Sequence, residues 1–243
     1  VVVGDSFTFG DEVNDGETWA SQLQTLLGVS VLNGGVFGYG VDQAYLRARA
    51  LMDAYHPAVV LLALISDDIV RTERSYYEAW KPYFEFQNGE LVLRNVPVPT
   101  GSPPVPRLGN LRKALSYSYL CSAVLRRAAR RWWLYGSTQR VHDDGENVTV
   151  ELLHRLAAYA RSRDARFAVV ALGTNGRIGG NLRIPAVVEQ ARRRGIDVLD
   201  LVPEIEQMPP DTLDIMFLPR GHYSPLMNRR VAQRIAAYLD QGR

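Results

Sequence analysis

Val1-Val2-Val3-Gly4-Asp5-Ser6-Phe7-Thr8-Phe9-Gly10 opens the chain. Three β-branched residues read as a short buried strand that stops at Gly4. A serine directly after the first strand of a parallel sheet stands at the sheet's carboxyl edge, where open α/β sheets bind ligands. Outward from there the pattern alternates. Residues 17–27 have helical spacing, with Trp19, Leu23, Leu26 and Leu27 on one side. Residues 29–32 form a second short apolar run, and 41–55 read as a helix stopped before Pro57. Residues 58–65 are almost wholly apolar, as expected of a central parallel strand covered on both faces. The runs 166–172 and 196–201 repeat that pattern, with a helix near 185–194 between them, capped by Gly195. An amphipathic helix over 225–239 closes the chain. Strands alternating with helices predict an α/β fold, a parallel sheet with helices on both faces.

Residues 71–147 break that rhythm and read as an insertion over the sheet's carboxyl edge, within a single domain spanning 1–243. Residues 83–94 alternate around Asn88-Gly89, a strong hairpin signal. Residues 95–107 are proline-rich and extended. Residues 108–135 read as helical and carry Arg126, Arg127, Arg130 and Arg131 ahead of Trp132-Trp133. That helix suits a membrane surface or an acidic glycan, or more simply an apolar face turned inward with solvated arginines. The aromatic stretch Tyr76, Tyr77, Trp80, Tyr83, Phe84 and Phe86 suits either a sugar-binding platform or a small core.

The composition narrows the function. With 28 basic and 26 acidic residues the net charge is +2, so no whole-chain field calls for nucleic acid. One cysteine, Cys121, forms no internal disulfide and reads as a small packed hydrophobe. His142 and His154 have no partners at metal-ligand spacing, HExxH is absent, and His56 reads as a helix end. No apolar run reaches the roughly 18 residues that span a bilayer. The chain opens on a strand with no initiator Met and no signal peptide, so an upstream segment is expected. With that segment the expected setting is bacterial and extracytoplasmic, and otherwise cytoplasmic.

Three stretches carry chemistry. Gly4-Asp5-Ser6 offers a hydroxyl at a strand end, or simply a capped turn. Asn33-Gly34-Gly35-Val36-Phe37-Gly38-Tyr39-Gly40 frees backbone N–H groups to face a ligand, although as a nucleotide loop it lacks the Lys-Ser/Thr ending. Gly221-His222-Tyr223-Ser224-Pro225 places an imidazole just before the last helix, and serine nucleophiles need such a base.

Taken in order, Gly4-Asp5-Ser6, Asn33-x-Gly35-x-x-Gly38, Ile65-Ser66-Asp67-Asp68-Ile69 and His222-Tyr223-Ser224-Pro225 resemble the blocks of SGNH (GDSL-like) hydrolases. The resemblance covers about 1–70 and 166–243. It implies a flavodoxin-like three-layer α/β/α sandwich. It also implies Ser6 as nucleophile on an ester carbonyl and His222 as its general base. The oxyanion would rest on the backbone N–H groups of Ser6 and Gly38 and on a side chain of the third block. No metal or organic cofactor is implied. The expected substrate is a small-molecule or glycan ester, with carbohydrate O-acetyl groups first among them. Acyl transfer to a sugar hydroxyl and a non-catalytic glycan-binding role are the alternatives.

Two departures from the family pattern bear on mechanism. The third block normally offers an Asn, and here Ser66 is the expected stand-in, with Asp67 the alternate. Ionised Asp67 has no proton to donate. The last block normally carries an Asp two or three residues before the His, where Arg220 and Pro219 stand. A Ser–His dyad oriented by backbone carbonyls is then expected, or help from Asp214. The Gly usual after Ser-Pro-x is also missing, Met227 preceding Asn228.

Overall fold

The computed structural model describes residues 1–101, 109–129, 140–176 and 180–241. Arg130, Arg131, Trp132, Trp133 and residues 102–107 of the proline-rich run therefore lie outside the described residues, as does the side chain of Arg126. Along the chain come β1 (Val2–Val3), α1 (Ser6–Phe9), α2 (Trp19–Leu27), α3 (Val41–Tyr55), β2 (Val59–Leu64) and α4 (Ser66–Thr72). Then follow β3 (Tyr76–Tyr77), β4 (Ala79–Trp80), β5 (Tyr83–Gln87), β6 (Glu90–Arg94), α5 (Gly109–Ser116), α6 (Tyr119–Ala128) and α7 (Gly145–Arg161). The last elements are β7 (Arg166–Ala171), α8 (Ile184–Arg193), β8 (Val198–Asp200), α9 (Val202–Glu206), α10 (Pro210–Met216) and α11 (Pro225–Asp240).

The main sheet is parallel, in the order β1-β2-β7-β8. The apolar run at 29–32, expected as a strand, is reduced to one parallel bridge between Val2 and Asn33. Val2 N donates to Leu32 O and Gly34 N to Val2 O, and there the pairing ends. Gly34-Gly35 follow at once, and glycine weakens a strand interior. Counting that bridge as a vestigial edge strand gives the flavodoxin-like order 2-1-3-4-5. Chain direction across the sheet switches between β1 and β2. Ser6 follows the first of these strands and Ser66 the second.

Period-2 alternation divides the sheet's side chains between two layers. Val3, Val60, Leu62, Leu64, Val169 and Ala171 pack on α3, α7 and α8. Val2, Leu61, Ala63, Ala168, Val170 and Leu172 pack on α2, α11 and their neighbours through Trp19, Leu23, Val231 and Ile235. These two apolar layers with the sheet between them are the three-layer sandwich.

The Asn88-Gly89 hairpin forms as its sequence dictates, with both residues at positive φ and Tyr83 opposite Arg94. It packs on the α3 and α7 layer: the Phe84 ring meets Tyr45 edge-on at 5.6 Å, and Leu91 O accepts from Arg155. Of the aromatic stretch, Phe84 is buried core, Tyr76 and Trp80 pack edge to face, and Phe86 is exposed. A buried ion pair ties this region to the sandwich, Lys81 Nζ against Asp42 on α3. Burial raises the Asp42 carboxyl above its ordinary value, against the opposing pull of Lys81.

Candidate active site

The site grows from the end of β1. Asp5 caps α1, its Oδ1 accepting from Phe7 N at 2.9 Å, and Ser6 becomes the first helical residue. The helix lasts one turn, because Gly10 at φ +96° turns the chain back. Ser6 O then accepts from both Gly10 N and Asp11 N, at 3.0 and 3.1 Å. The capped-turn reading of Asp5 and the hydroxyl-presenting reading of Ser6 are thus both realised in one turn.

The second stretch is bound to this turn. Asn33 Nδ2 donates to Thr8 O at 2.9 Å and to Phe9 O at 3.3 Å, while its Oδ1 accepts from Gly35 N. Gly35 is obligatory here: a Cβ would lie 2.3 Å from Phe9 N. Gly38 has φ +67°, and a Cβ there would meet Tyr77 at 3.0 Å. Among the described residues, neither Ser6 N nor Gly38 N has a protein acceptor. Two amide donors are therefore left over at the carboxyl edge.

His222 comes from the other end of the chain on a tight turn, with Leu218 N donating to His222 O and Phe217 bridging Tyr223. Phe7 packs on the imidazole, ring centres 4.9 Å apart, and Tyr223 packs edge-on against Phe7. Tyr223 is fixed in turn by donating from its hydroxyl to Gly173 O at 2.8 Å. The result is a short contact across 216 positions of sequence: His222 Nε2 lies 3.0 Å from Ser6 Oγ. Both residues are largely buried, Ser6 at 8% exposure.

The expected orienting group is corrected by the structure. His222 Nδ1 faces Glu12 Oε2 at 3.0 Å, neither a backbone carbonyl nor Asp214. Asp214 is an exposed residue of α10. Asp11 Oδ2 is the next carboxylate, 3.6 Å from the same nitrogen. Arg220, where the family places an acid, instead approaches Glu12 Oε1 at 3.6 Å. The sequence held one signal for this, two acids five and six residues after the serine, but not the turn that aims one of them. Glu12 has φ +69°, unusual outside glycine.

Arg71 on α4 joins the three amino-terminal blocks. Its Nη1 donates to Asp5 Oδ2 at 3.0 Å, to Tyr39 O at 3.1 Å and to Asp68 Oδ1 at 2.6 Å. Asp68 Oδ2 also accepts from Ile65 N, closing the start of α4. Burial first, and the Asp5 charge second, push the Asp68 carboxyl well above the usual carboxylate range. Its two neighbours in the third block are placed differently. Ser66 is buried and its Oγ accepts from Arg183 N at 3.3 Å, whereas Asp67 is half-exposed. Asn228 explains a further departure. Its Oδ1 accepts from Trp19 N, and its Nδ2 donates to Tyr223 O and Ser224 O. It locks the His222 turn to α2.

No family model matches the chain, and no curated protein matches it by sequence. Solved structures do. A putative lipolytic protein of the G-D-S-L family from Desulfitobacterium hafniense DCB-2 is 16% identical with a TM-score of 0.56, covering 97% of each chain. TesA is 14% identical with a TM-score of 0.57, over 98% of this chain and 96% of its own. The acetyl xylan esterase AlAXEase is 11% identical with a TM-score of 0.53, over 98% and 99%. The fold of this chain is that of these G-D-S-L lipolytic proteins and esterases, the SGNH hydrolase fold.

Proposed function

We propose that the chain is a serine hydrolase that cleaves carboxylic esters through an acyl-enzyme on Ser6. The observation that carries this is the 3.0 Å contact between Ser6 Oγ and His222 Nε2. It matches the reach a general base needs on a nucleophilic hydroxyl. Ser6 Oγ attacks the acyl carbon as His222 Nε2 takes its proton. The carbonyl oxygen becomes an oxyanion that the N–H groups of Ser6 and Gly38 can receive. On collapse the alkoxide leaves as alcohol, carrying the proton from His222. Water repeats the sequence, activated by the same imidazole, and frees the acid and Ser6.

Ser66 is the third donor in this reading. Its oxygen accepts from Arg183 N, and an accepting hydroxyl still keeps its own proton to give. Asp67, ionised, would repel the developing negative charge.

A short acyl ester is the substrate class, with O-acetyl groups on carbohydrate the first to try. The likeness to a structure described as an acetyl xylan esterase supports that choice. The test is hydrolysis of p-nitrophenyl acetate and acetylated xylan by wild type and Ser6→Ala. Loss of turnover in the variant is expected. Equal rates would remove Ser6 from the reaction.

A further inference from the structure

We infer that Glu12, carried on the loop that follows the nucleophile, has taken over the orientation of His222 from the C-terminal block. The inference rests on the ester-hydrolysis reading above. In that reading His222 must hold its proton on Nδ1 and leave Nε2 free for Ser6. A carboxylate accepting from Nδ1 fixes that tautomer and steadies the imidazolium formed on proton transfer. Glu12 Oε2, 3.0 Å from Nδ1, is placed to do both.

The supply of this acid is local. Ser6 O holds Gly10 N and Asp11 N, so the residue that presents the nucleophile also anchors the loop that presents the acid. The left-handed conformation of Glu12 then turns its side chain toward the imidazole. Strain of this kind persists where the surroundings over-determine a residue, and it gathers at functional sites. Glu12 is itself largely buried, its side chain 13% exposed. Two charged groups besides Glu12 face the pair. Asp11 stands 3.6 Å from Nδ1, Glu12 stands against it, and Arg220 lies 3.6 Å from the other Glu12 oxygen. Arg220 occupies a position where an acid would have duplicated Glu12. As a cation it attracts the carboxylate from the side of that second oxygen. Glu12 is a positioning residue that acts through His222.

Glu12→Gln is the informative variant, because it keeps size and an acceptor oxygen while removing the charge. The expected result is a fall in kcat on p-nitrophenyl acetate on the order of 100-fold or more, with KM little changed. Glu12→Asp, which keeps the charge on a shorter arm, should recover part of the lost kcat. Asp214→Asn should keep the wild-type rate. Thermal unfolding of each variant identifies any that fails to fold. For a folding failure at Glu12→Gln, Arg220→Ala is the second variant, and it should lower kcat with KM little changed. Wild-type kcat in folded Glu12→Gln, alongside an inert Ser6→Ala, would overturn the role of Glu12 alone. Full activity in Ser6→Ala would overturn the ester reading itself.

Discussion

At the scale of single residues, the site depends on a few backbone positions as much as on side chains. Gly38→Ala should lower kcat about 100-fold, the usual consequence of misplacing one oxyanion donor. Its φ of +67° and the 3.0 Å approach to Tyr77 leave a methyl group no unstrained place. The same change should cost about 1–2 kcal/mol of stability, readable by urea denaturation. Ser66→Ala is expected to cut kcat at least tenfold, and Asp67→Asn much less, if the hydroxyl is the third donor. Ser6, Gly38 and His222 were legible in the sequence because block order brings them to one edge of a known sheet. Glu12 was not legible. Spacing locates acids along a chain, but the rotation that points one of them at an imidazole comes from a left-handed residue that no local pattern announces.

At the scale of elements, Arg71 is the tie that holds three loops in register. It is buried against two carboxylates and a carbonyl, so removing it strands charge in the interior. Arg71→Met should destabilise the protein by about 3–5 kcal/mol, and lower Tm by roughly 10 °C. The pair also makes stability depend on pH. The native pKa of Asp68 lies above its unfolded value, so its contribution is complete below the unfolded value near 4. It is lost as pH rises through the raised native value. Urea denaturation between pH 4 and 8 should show that decline in wild type and a flatter profile in Asp68→Asn. Helices α2, α3, α8 and α11 were legible in the sequence, α3 to the residue. The sequence reading places no element at α7, although Val148, Leu152, Leu153, Leu156 and Ala160 mark a buried stripe there. The edge strand went the other way: an apolar run promised it, and the glycines behind it ended the pairing after one bridge.

Across the whole molecule, charge is unevenly shared. Residues 91–142 hold nine of the 28 basic residues and none of the 26 acidic ones. The remainder is correspondingly acidic, so a net +2 conceals a polarised chain. At pH 7 and low salt the protein should bind a sulfonate cation exchanger more tightly than its net charge implies, and elute as salt screens the local field. An apolar cavity of about 820 Å³ lies at the amino edge of the sheet, lined by Val1, Leu23, Leu27, Val59, Ala236 and Leu239. None of the residues of the Ser6 site belongs to it. Val1 and Asp240 both sit on that rim, a sheet's length from Ser6. A molecule tethered to a bead or an electrode through either region would therefore stand with the Ser6 edge of its sheet outward, toward whatever is dissolved around it.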